Sequence, residues 1–395
     1  VHLTRASANM FIISSALITL LVNYAIQSCE IHNQSDFITQ ETSLYDKIMK
    51  DYKPKLPAIS TVANNSRAAP DIPRFEVSVV LSYLKLISVV EPQQKVDFIM
   101  EYRMRWNDER LKWTSSDYCG INELYLARED VWVPEVTIVD AIATTDYRED
   151  FKKFARLNSS GSLEYFVPTV TSTACQIKIR NFPFDTQICA IKVMAQTFSA
   201  RQYGIKAKSL ATAYAKMGNG EWQIRNVSVR SEMVDNGEGS LIEINYFDVL
   251  MIRNPSFYVT VVITPSFIIN VLCIFGLFLK ADRMTKLGVA LTNILSLTFI
   301  LGILATVVPK TDEIPKIGVF VVVNLALMVG SLGIVVLISY IRIGESESEQ
   351  KKEKLEDGST ADRSTKSTKS MRALKGTLHI LLQLANLTNF LVLVL

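Results

Sequence analysis

The second half of the chain contains long apolar stretches without any Asp, Glu, Lys or Arg. Three of them, Phe257–Leu279, Leu287–Val308 and Ile317–Ile341, contain 23, 22 and 25 residues, and a fourth, Leu378–Leu395, contains 18. A helix needs about 20 mostly apolar residues to cross the hydrocarbon core of a bilayer. The pattern therefore predicts four membrane-spanning helices and excludes a purely soluble protein.

The preceding region, from residue 74 to residue 253, has a different pattern. Short stretches of alternating apolar and polar residues, such as 75–79 and 97–101, are separated by turn-forming clusters, such as 235–239. Alternation with a period of two is typical of strands with one buried face. We expect an antiparallel β-sandwich of about 180 residues here.

The N-terminal region contains a run of 13 mostly apolar residues, Met10–Val22, followed by small and polar ones. This run is too short to span a bilayer and is typical of a signal peptide, although a loosely attached apolar tail is the alternative. We expect a signal peptide at 1–28 and a lumenal or extracellular domain at 29–253. Val1 in place of Met leaves open a start at Met10.

Two further features belong to the predicted extracellular domain. Apolar residues at helical spacing predict a short amphipathic helix at Glu41–Tyr52, which Pro54 ends. Four Asn-X-Ser sequons are candidates for glycosylation in the secretory lumen. They begin at Asn33, Asn64, Asn158 and Asn226.

Composition narrows the classes of function. A net charge of +3 is too small to indicate nucleic acid as a partner, and Lys and Arg form no patch interleaved with aromatics. Three histidines and five cysteines at unrelated spacings predict neither a metal site nor a His-based catalytic group. The extracellular half contains no nucleophile motif and no Gly-rich phosphate loop. We therefore expect no catalytic residues, no cofactor and no bound metal.

Cys175 and Cys189 enclose 13 residues whose centre, 181–185, reads Asn-Phe-Pro-Phe-Asp. In an oxidising lumen this pair fits a disulfide worth about 3 kcal/mol, and two unrelated buried thiols are the alternative. Pro183 between two aromatics predicts a tight turn, with a cis bond as one option, that presents apolar rings to another surface. The loop resembles the signature loop of the Cys-loop pentameric ligand-gated ion channels, the nicotinic receptor superfamily.

Three more motifs follow in that family's order. Trp106-Asn-Asp-Glu-Arg-Leu-Lys-Trp113 is similar to its Trp-x-Asp-x-x-Leu-x-Trp strand, and Trp132-Val-Pro-Glu135 is similar to its Trp-x-Pro-Asp turn, with Glu replacing Asp. Arg253–Tyr258 resembles the segment that leads the sandwich into the membrane. The resemblance covers about residues 41 to 395 and points to a divergent invertebrate, nematode-type subunit.

The resemblance implies an N-terminal all-β extracellular sandwich and a four-helix transmembrane bundle. Its expected partners are four further subunits in a homo- or heteropentamer, a small extracellular ligand, permeating inorganic ions and the lipid bilayer. The expected location is the plasma membrane, with a synaptic or vesicular membrane as alternatives. The predicted function is that of a neurotransmitter-type ligand-gated channel subunit. The alternative is a channel-derived receptor or trafficking protein that keeps the fold without conducting or responding to ligand.

Charge sets the expected orientation of the membrane half. Helices one to three occupy 254–343, and the fourth occupies 377–395. The short loop that holds Lys280, Arg283 and Lys286 then faces the cytoplasm, as the positive-inside rule prefers. The segment 344–376 also lies inside, where its interspersed charges, Ser and Thr predict a short disordered linker.

The second spanning segment, 287–308, carries hydroxyl and amide side chains that are costly to expose to lipid. At about 100° per residue, six positions fall within one stripe about 80° wide. They are Gly288, Thr292, Leu295, Phe299, Gly302 and Thr306. Five copies would line a pore, with Leu295 and Phe299 as a hydrophobic gate. The alternative is a stripe that only packs on a neighbouring helix.

Charge selectivity depends on the register of the inner mouth. Cation-selective relatives carry an acidic residue just before a basic one, and Asp282 imitates this pattern three residues early. An ungapped register through Pro265 and Pro309 places Thr285 and Lys286 there instead. We favour the second register, which leaves no carboxylate ring at the inner mouth and weakly favours selectivity for anions.

The resemblance also identifies candidate positions for ligand binding and for coupling. Positions that hold quaternary ammonium with aromatic rings in acetylcholine-binding relatives are here non-aromatic, and one ring lies nearby. These positions are Glu101, Val139, Gln196 and Ile242, and the ring is Phe198. Ordinary acetylcholine binding on the main face is therefore not expected. The coupling candidates are Glu91, Phe182, Pro183, Asp185, Arg253 and Pro309. We expect Arg253 to pair with Asp185 or Glu91, and lipid snorkelling is the alternative.

Overall fold

The computed structural model describes residues 33–59, 74–210, 212, 214–235, 237, 239–278, 282–308, 313–353 and 361–394. The predicted signal peptide at 1–28, the sequon at Asn64, Lys280 and the coupling candidate Pro309 lie outside the described residues. The described part of the chain forms a β-sandwich followed by long apolar helices, which confirms the predicted fold class.

A helix precedes the sandwich. Helix α1 (Gln34–Met49) begins seven residues before the predicted Glu41, because the Asn33 side chain caps it by accepting a hydrogen bond from the Asp36 main-chain N–H at 2.9 Å. The apolar period alone locates only the part of the helix that is packed. Leu44 on that face is fully buried.

Eleven strands form two sheets in the described chain. The first sheet contains β1 (Phe75–Val90), β2 (Lys95–Asn107), β3 (Glu123–Ala127), β5 (Ala141–Asp146), β6 (Phe154–Asn158), β7 (Ser162–Ala174) and β9 (Tyr203–Ser209). The second contains β4 (Thr137–Val139), β8 (Thr186–Met194), β10 (Trp222–Asp235) and β11 (Leu241–Arg253). A short helix, α2 (Tyr214–Met217), precedes β10.

The two sheets differ in strand order and share one core. The first sheet runs β3-β6-β7-β2-β1-β9, with β5 also paired to β7, and the second runs β10-β11-β8-β4. The β1–β9 pair is parallel, and the other pairs between described strands are antiparallel. Alternate residues of β2 are buried, as the two-residue period predicts. Phe98 from β2 and Phe247 from β11 belong to the core that the sheets share.

The membrane half consists of helices α3 (Ser256–Tyr258), α4 (Thr264–Phe278), α5 (Arg283–Val307), α6 (Lys316–Glu353) and α7 (Ala361–Val394). A π-helical turn, Val259–Ile263, joins α3 to α4. By length and composition, four stretches could cross a membrane: Ser256–Phe278, Met284–Thr306, Lys316–Ile341 and Ala373–Val394. These agree with the predicted spans to within a few residues, except that the fourth begins earlier.

The prediction of a disordered linker at 344–376 is wrong for most of its length. Helix α6 continues to Glu353, and α7 begins at Ala361. Between 345 and 353 the chain consists of Glu, Ser, Gln and Lys without Pro or Gly, so nothing in this stretch stops a helix that has already begun. Its position in the cytoplasm stays a prediction.

Candidate functional site

The Cys loop joins β7 to β8 at the end of the sandwich that contacts the membrane half. Cys175 follows β7 and Cys189 lies on β8; their Cα atoms are 5.5 Å apart and a disulfide joins them. The predicted pairing is therefore present. Cys119 is also disulfide-bonded, whereas Cys273 is a free, buried thiol. The Phe182–Pro183 peptide bond at the loop tip is cis.

The tip of the loop packs against the beginning of the membrane half. The Phe182 ring is only 2% exposed, because its centroid lies 4.7 Å from that of Tyr258 in an edge-to-face contact. Pro183 is buried too, and Phe184 is 38% exposed. For the Phe182 ring, the predicted surface is thus supplied by Tyr258 at the start of the membrane half. The loop also contacts α6, where the Lys316 main-chain N–H donates to the Arg180 carbonyl at 3.0 Å.

Arg253, the last residue of β11, lies at the centre of three carboxylates. Its Nε donates to Asp185 Oδ1 at 2.9 Å, its Nη2 to Glu91 Oε1 at 2.8 Å and its Nη1 to Glu221 Oε1 at 2.5 Å. The carboxylates come from the Cys loop, from the turn after β1 and from the residue before β10. We call these four residues the junction cluster.

The side chain of Arg253 is completely buried, which contradicts the snorkelling alternative. Its Cζ lies 4.1 Å from the ring centroid of Trp222 and 4.7 Å from that of Phe182, so two aromatic faces add cation–π attraction. Burial alone lowers the pKa of Arg253, but the neighbouring Asp185 and Glu91 carboxylates outweigh it and raise that pKa. The guanidinium therefore stays charged at every physiological pH.

Glu221 is the member of the junction cluster that sequence reasoning missed. The Tyr258 hydroxyl also donates to its Oε1, at 3.2 Å, so Glu221 links the last strand to the first membrane helix. The β10–β11 register pairs Trp222 with Arg253. Counting back along both strands from the predicted turn at 235–239 would have brought Glu221 close to Arg253.

The six predicted pore-lining residues form one exposed face of α5. All six are exposed, and Leu295 and Phe299 are each 70% exposed. The buried residues Ala290, Leu297 and Leu304 lie about 180° away around the helix and face the rest of the bundle. Within the described part of this chain, the stripe therefore does not pack on a neighbouring helix.

Asp282 caps the N-terminus of α5 at the predicted inner mouth. Its carboxylate accepts from the Thr285 main-chain N–H at 3.0 Å and from the Thr285 hydroxyl. These hydrogen bonds hold the pKa of Asp282 below its usual value, so the carboxylate is ionised. The cap position also places this charge at the positive end of the helix dipole. Lys286, one turn further along, is partly buried.

The ligand-binding candidates fall into two groups. In the second sheet, β4 carries Val139 and β11 carries Ile242, and Gln196 and Phe198 follow β8. Glu101 lies on β2 of the first sheet. Glu101 thus belongs to a different sheet from the strands that carry or precede the other four.

The loop after β8 is held by hydrogen bonds and a ring contact. The Glu135 carboxylate accepts from the main-chain N–H groups of Gln196 at 2.9 Å and Thr197 at 3.2 Å. The Phe198 ring stacks on Tyr203 with centroids 5.5 Å apart. Tyr203 in turn stacks on Phe75, with centroids 5.9 Å apart. In the described residues, no group of three or more His, Cys, Asp or Glu side chains could hold a metal ion.

Comparison with known proteins identifies the family. Residues 41–255 match the family described as "Neurotransmitter-gated ion-channel ligand binding domain". The neuronal acetylcholine receptor subunit beta-4 of Rattus norvegicus is 30% identical over 254 residues, which are 64% of this chain and 51% of the relative. The proton-gated ion channel subunit pbo-6 of Caenorhabditis elegans is 25% identical over 255 residues, 63% of this chain and 60% of the relative.

The chain spans about half the length of the curated acetylcholine receptor subunits that it matches. Together with the four candidate spans, these likenesses indicate a multi-pass membrane protein. The family match alone covers more than half of the sequence. The chain therefore belongs to the Cys-loop pentameric ligand-gated ion channels.

Proposed function

We propose that this chain is a subunit of a channel that an extracellular ligand opens, with a pore lined by α5. The observation that carries the proposal is the outward face of α5, where a stripe of small, hydroxyl and bulky apolar residues is exposed opposite a buried face. Around a fivefold axis, Leu295 and Phe299 would form two apolar rings that close the pore by excluding water. The further subunits would be copies of this chain or of related ones.

The junction cluster is the proposed route from ligand to pore. It holds the turn after β1, the Cys loop and the start of β10 to the end of β11, and Phe182 and Glu221 extend it to Tyr258. The contact between Arg180 and Lys316 adds the segment that follows the pore helix. A movement of the sandwich would therefore reach α3 and α6 through packed groups. Pro309 is proposed as part of the same route.

The ligand of the main face is proposed to be something other than acetylcholine bound in an aromatic box. Four of the candidate positions are Glu101, Val139, Gln196 and Ile242, so a quaternary ammonium would lose most of its cation–π attraction. One relative is named a proton-gated channel subunit, which makes protons a ligand worth testing beside small amines and amino acids.

Selectivity for anions is proposed from the inner mouth. Thr285 and Lys286 occupy the ring that the favoured register defines, and the Asp282 carboxylate is engaged as a helix cap. Reversal potentials in chloride and sodium gradients test this proposal. The variant Lys286→Glu should move the reversal potential towards that of cations, and the matched variant Lys208→Glu, at an exposed position on β9 of the sandwich, should leave it unchanged.

Current recordings test the function as a whole. The full chain is expressed alone and with related subunits, its surface delivery is measured, and a ligand panel that includes acidic pH is applied. Ligand-dependent current in the unmodified chain supports the channel. The second candidate is a non-conducting receptor of the same fold, which the loss of the aromatic box favours. Absence of current from both the unmodified chain and Leu295→Thr, despite surface delivery, would support it.

A further inference from the structure

Four asparagines meet inside the membrane-spanning bundle. Asn270 lies on α4, Asn324 on α6, and Asn386 and Asn389 on α7. The side chains of the first three are fully buried. A primary amide is costly to place in an apolar bundle unless its N–H and C=O groups find hydrogen-bond partners. We call these four residues the asparagine cluster.

The amides of the asparagine cluster bond to one another across three helices. Asn270 Nδ2 donates to Asn324 Oδ1 at 3.0 Å and to Asn386 Oδ1 at 2.9 Å. Asn389 Nδ2 donates to Asn324 Oδ1 at 2.8 Å and to the main-chain carbonyl of Phe320 at 3.1 Å. The cluster therefore ties α7 to α4 and to α6.

The orientation of each amide follows from the carbonyl of Phe320, which can only accept. Asn389 must turn its Nδ2 towards that carbonyl, and the same nitrogen then requires an oxygen from Asn324. Because Asn324 presents its oxygen, Asn270 must present its nitrogen to that oxygen. The same nitrogen also faces Asn386, which must therefore present its oxygen. A flip of any one amide would place two donors or two acceptors against each other.

This arrangement leaves three buried atoms unpaired. Asn270 Oδ1, Asn324 Nδ2 and Asn386 Nδ2 have no hydrogen-bond partner among the residues that the structure describes. Each belongs to an amide whose other polar atom bonds within the cluster. Two donors and one acceptor are the complement of a hydroxyl oxygen, which accepts two hydrogen bonds and donates one. Buried waters typically make about three hydrogen bonds to such groups.

We propose that the asparagine cluster is a buried hydration site in the membrane bundle. A water accepts from Asn324 Nδ2 and Asn386 Nδ2 and donates to Asn270 Oδ1, so that it bridges all three helices. Only 11% of the spanning window of α7 is buried, the smallest share among the four candidate spans. The cluster adds to the other attachments of this helix, which include the bond from Gln383 Nε2 to the Val271 carbonyl at 3.2 Å and the contact of the Phe390 and Phe267 rings. The inference does not depend on the proposed channel activity.

A high-resolution electron microscopy map of the full-length pentamer in lipid nanodiscs tests the site directly. The expected result is a compact peak about 2.7–3.2 Å from the three unpaired atoms. Well-ordered asparagine side chains without a peak would overturn the proposal. An elongated density would overturn it as well, because it would identify the hydroxyl of a lipid or detergent as the occupant.

Two substitutions of Asn386 separate a hydrated cluster from a dry one. Asn386→Ala leaves space for a second water that restores partners to Asn270 and Asn324, whereas Asn386→Leu fills the space with apolar atoms and excludes water. We expect the thermal midpoint of the purified pentamer to fall with both and to fall further with Leu. A smaller loss with Leu than with Ala, or equal losses, would contradict the proposal.

The matched control is Thr388, which lies on α7 but is exposed and donates to the Leu384 carbonyl of its own helix at 2.8 Å. Thr388→Ala and Thr388→Leu should give equal shifts, because no bridge between helices is lost. If the Leu variant of Asn386 does not assemble, the map of the unmodified chain still decides the question.

Discussion

The junction cluster and the asparagine cluster bury polar groups in opposite ways. At the junction, one full positive charge is enclosed by three carboxylates and two aromatic faces, and each guanidinium nitrogen has a carboxylate partner. In the bundle, neutral amides bond to one another, and three of their atoms remain without a protein partner. The first cluster is closed by protein groups, whereas the second is complementary to water.

The difference follows from the elements that supply the side chains. Loops and strand ends approach the junction from several directions, so carboxylates can surround Arg253 on three sides. Helices in a bundle present side chains only from their facing surfaces, and a buried full charge there would be far more costly than an amide. We conclude that substitutions at the junction are strongly destabilising, whereas substitutions at the asparagine cluster are tolerated as long as water can enter.

The largest expected effect follows from removing the cation at the junction. Arg253→Met leaves the buried Asp185 and the partly buried Glu91 without their partner, which should cost about 3–5 kcal/mol. We expect a strong loss of assembled protein, measured by surface labelling and by the thermal midpoint of the purified pentamer. Arg180→Met, an exposed cation on the same loop, is the control. Similar losses for both variants would mean that the junction does not depend on buried charge pairing.

A graded effect should distinguish the carboxylates of the junction. The Asp185 side chain is 2% exposed and also accepts from Gln187 Nε2 at 2.6 Å, whereas Glu221 is 44% exposed. Asp185→Asn should lower the free energy of unfolding by about 1.5–3 kcal/mol, and Glu221→Gln should lower it by less than about 1 kcal/mol. A larger loss for Glu221→Gln would show that the half-exposed pair, and not the buried one, holds the junction.

The polar stripe of α5 should respond to hydration in the pore. Leu295→Thr places a hydroxyl in the proposed gate, which favours the wet, open state. We expect spontaneous current, or about a tenfold higher ligand sensitivity, which corresponds to about 1.4 kcal/mol. Val289→Thr is the matched control, because this residue lies about 100° from the centre of the stripe and near Gly276 on α4. Equal responses from both variants would require another pore face.

The features that sequence reasoning predicted depend on short-range patterns. Alternation over a few residues locates the strands, uninterrupted apolar runs locate the spans, and the motif around Pro183 identifies the loop between Cys175 and Cys189. Arg253 was expected to pair with either Asp185 or Glu91, and it pairs with both.

The features that were missed depend on packing between distant segments. Glu221 lies 32 positions before Arg253, and counting along the hairpin locates this pair only approximately because the register shifts between Ile224 and Asn226. The asparagine cluster joins Asn270 to Asn386, 116 positions away, and each lies among other polar residues in a mostly apolar run, so nothing in the sequence marks them as partners. Only the packing of the helices shows that they meet.

The smallest expected effect concerns a carboxylate inside the first sheet. Asp97 accepts from the Ser88 hydroxyl at 2.6 Å and from the Ser172 hydroxyl, and its Oδ1 lies 3.3 Å from Lys95 Nζ. Burial alone raises the pKa of Asp97, but these partners outweigh it and lower that pKa from 3.8. A lowered pKa contributes stability above the unfolded value, and this contribution is lost as the pH falls through the folded value.

Asp97→Asn should therefore lower the thermal midpoint slightly at neutral pH, with a cost below about 1 kcal/mol because the site is partly exposed to solvent. The difference between the unmodified protein and the variant should shrink as the pH falls below about 4, where the unfolded carboxyl takes up its proton. A difference that stays constant down to pH 3 would mean that the hydrogen-bond geometry of Asp97, rather than its charge, stabilises the sheet. The carboxylate would then resemble the neutral amides of the bundle more closely than the charges of the junction.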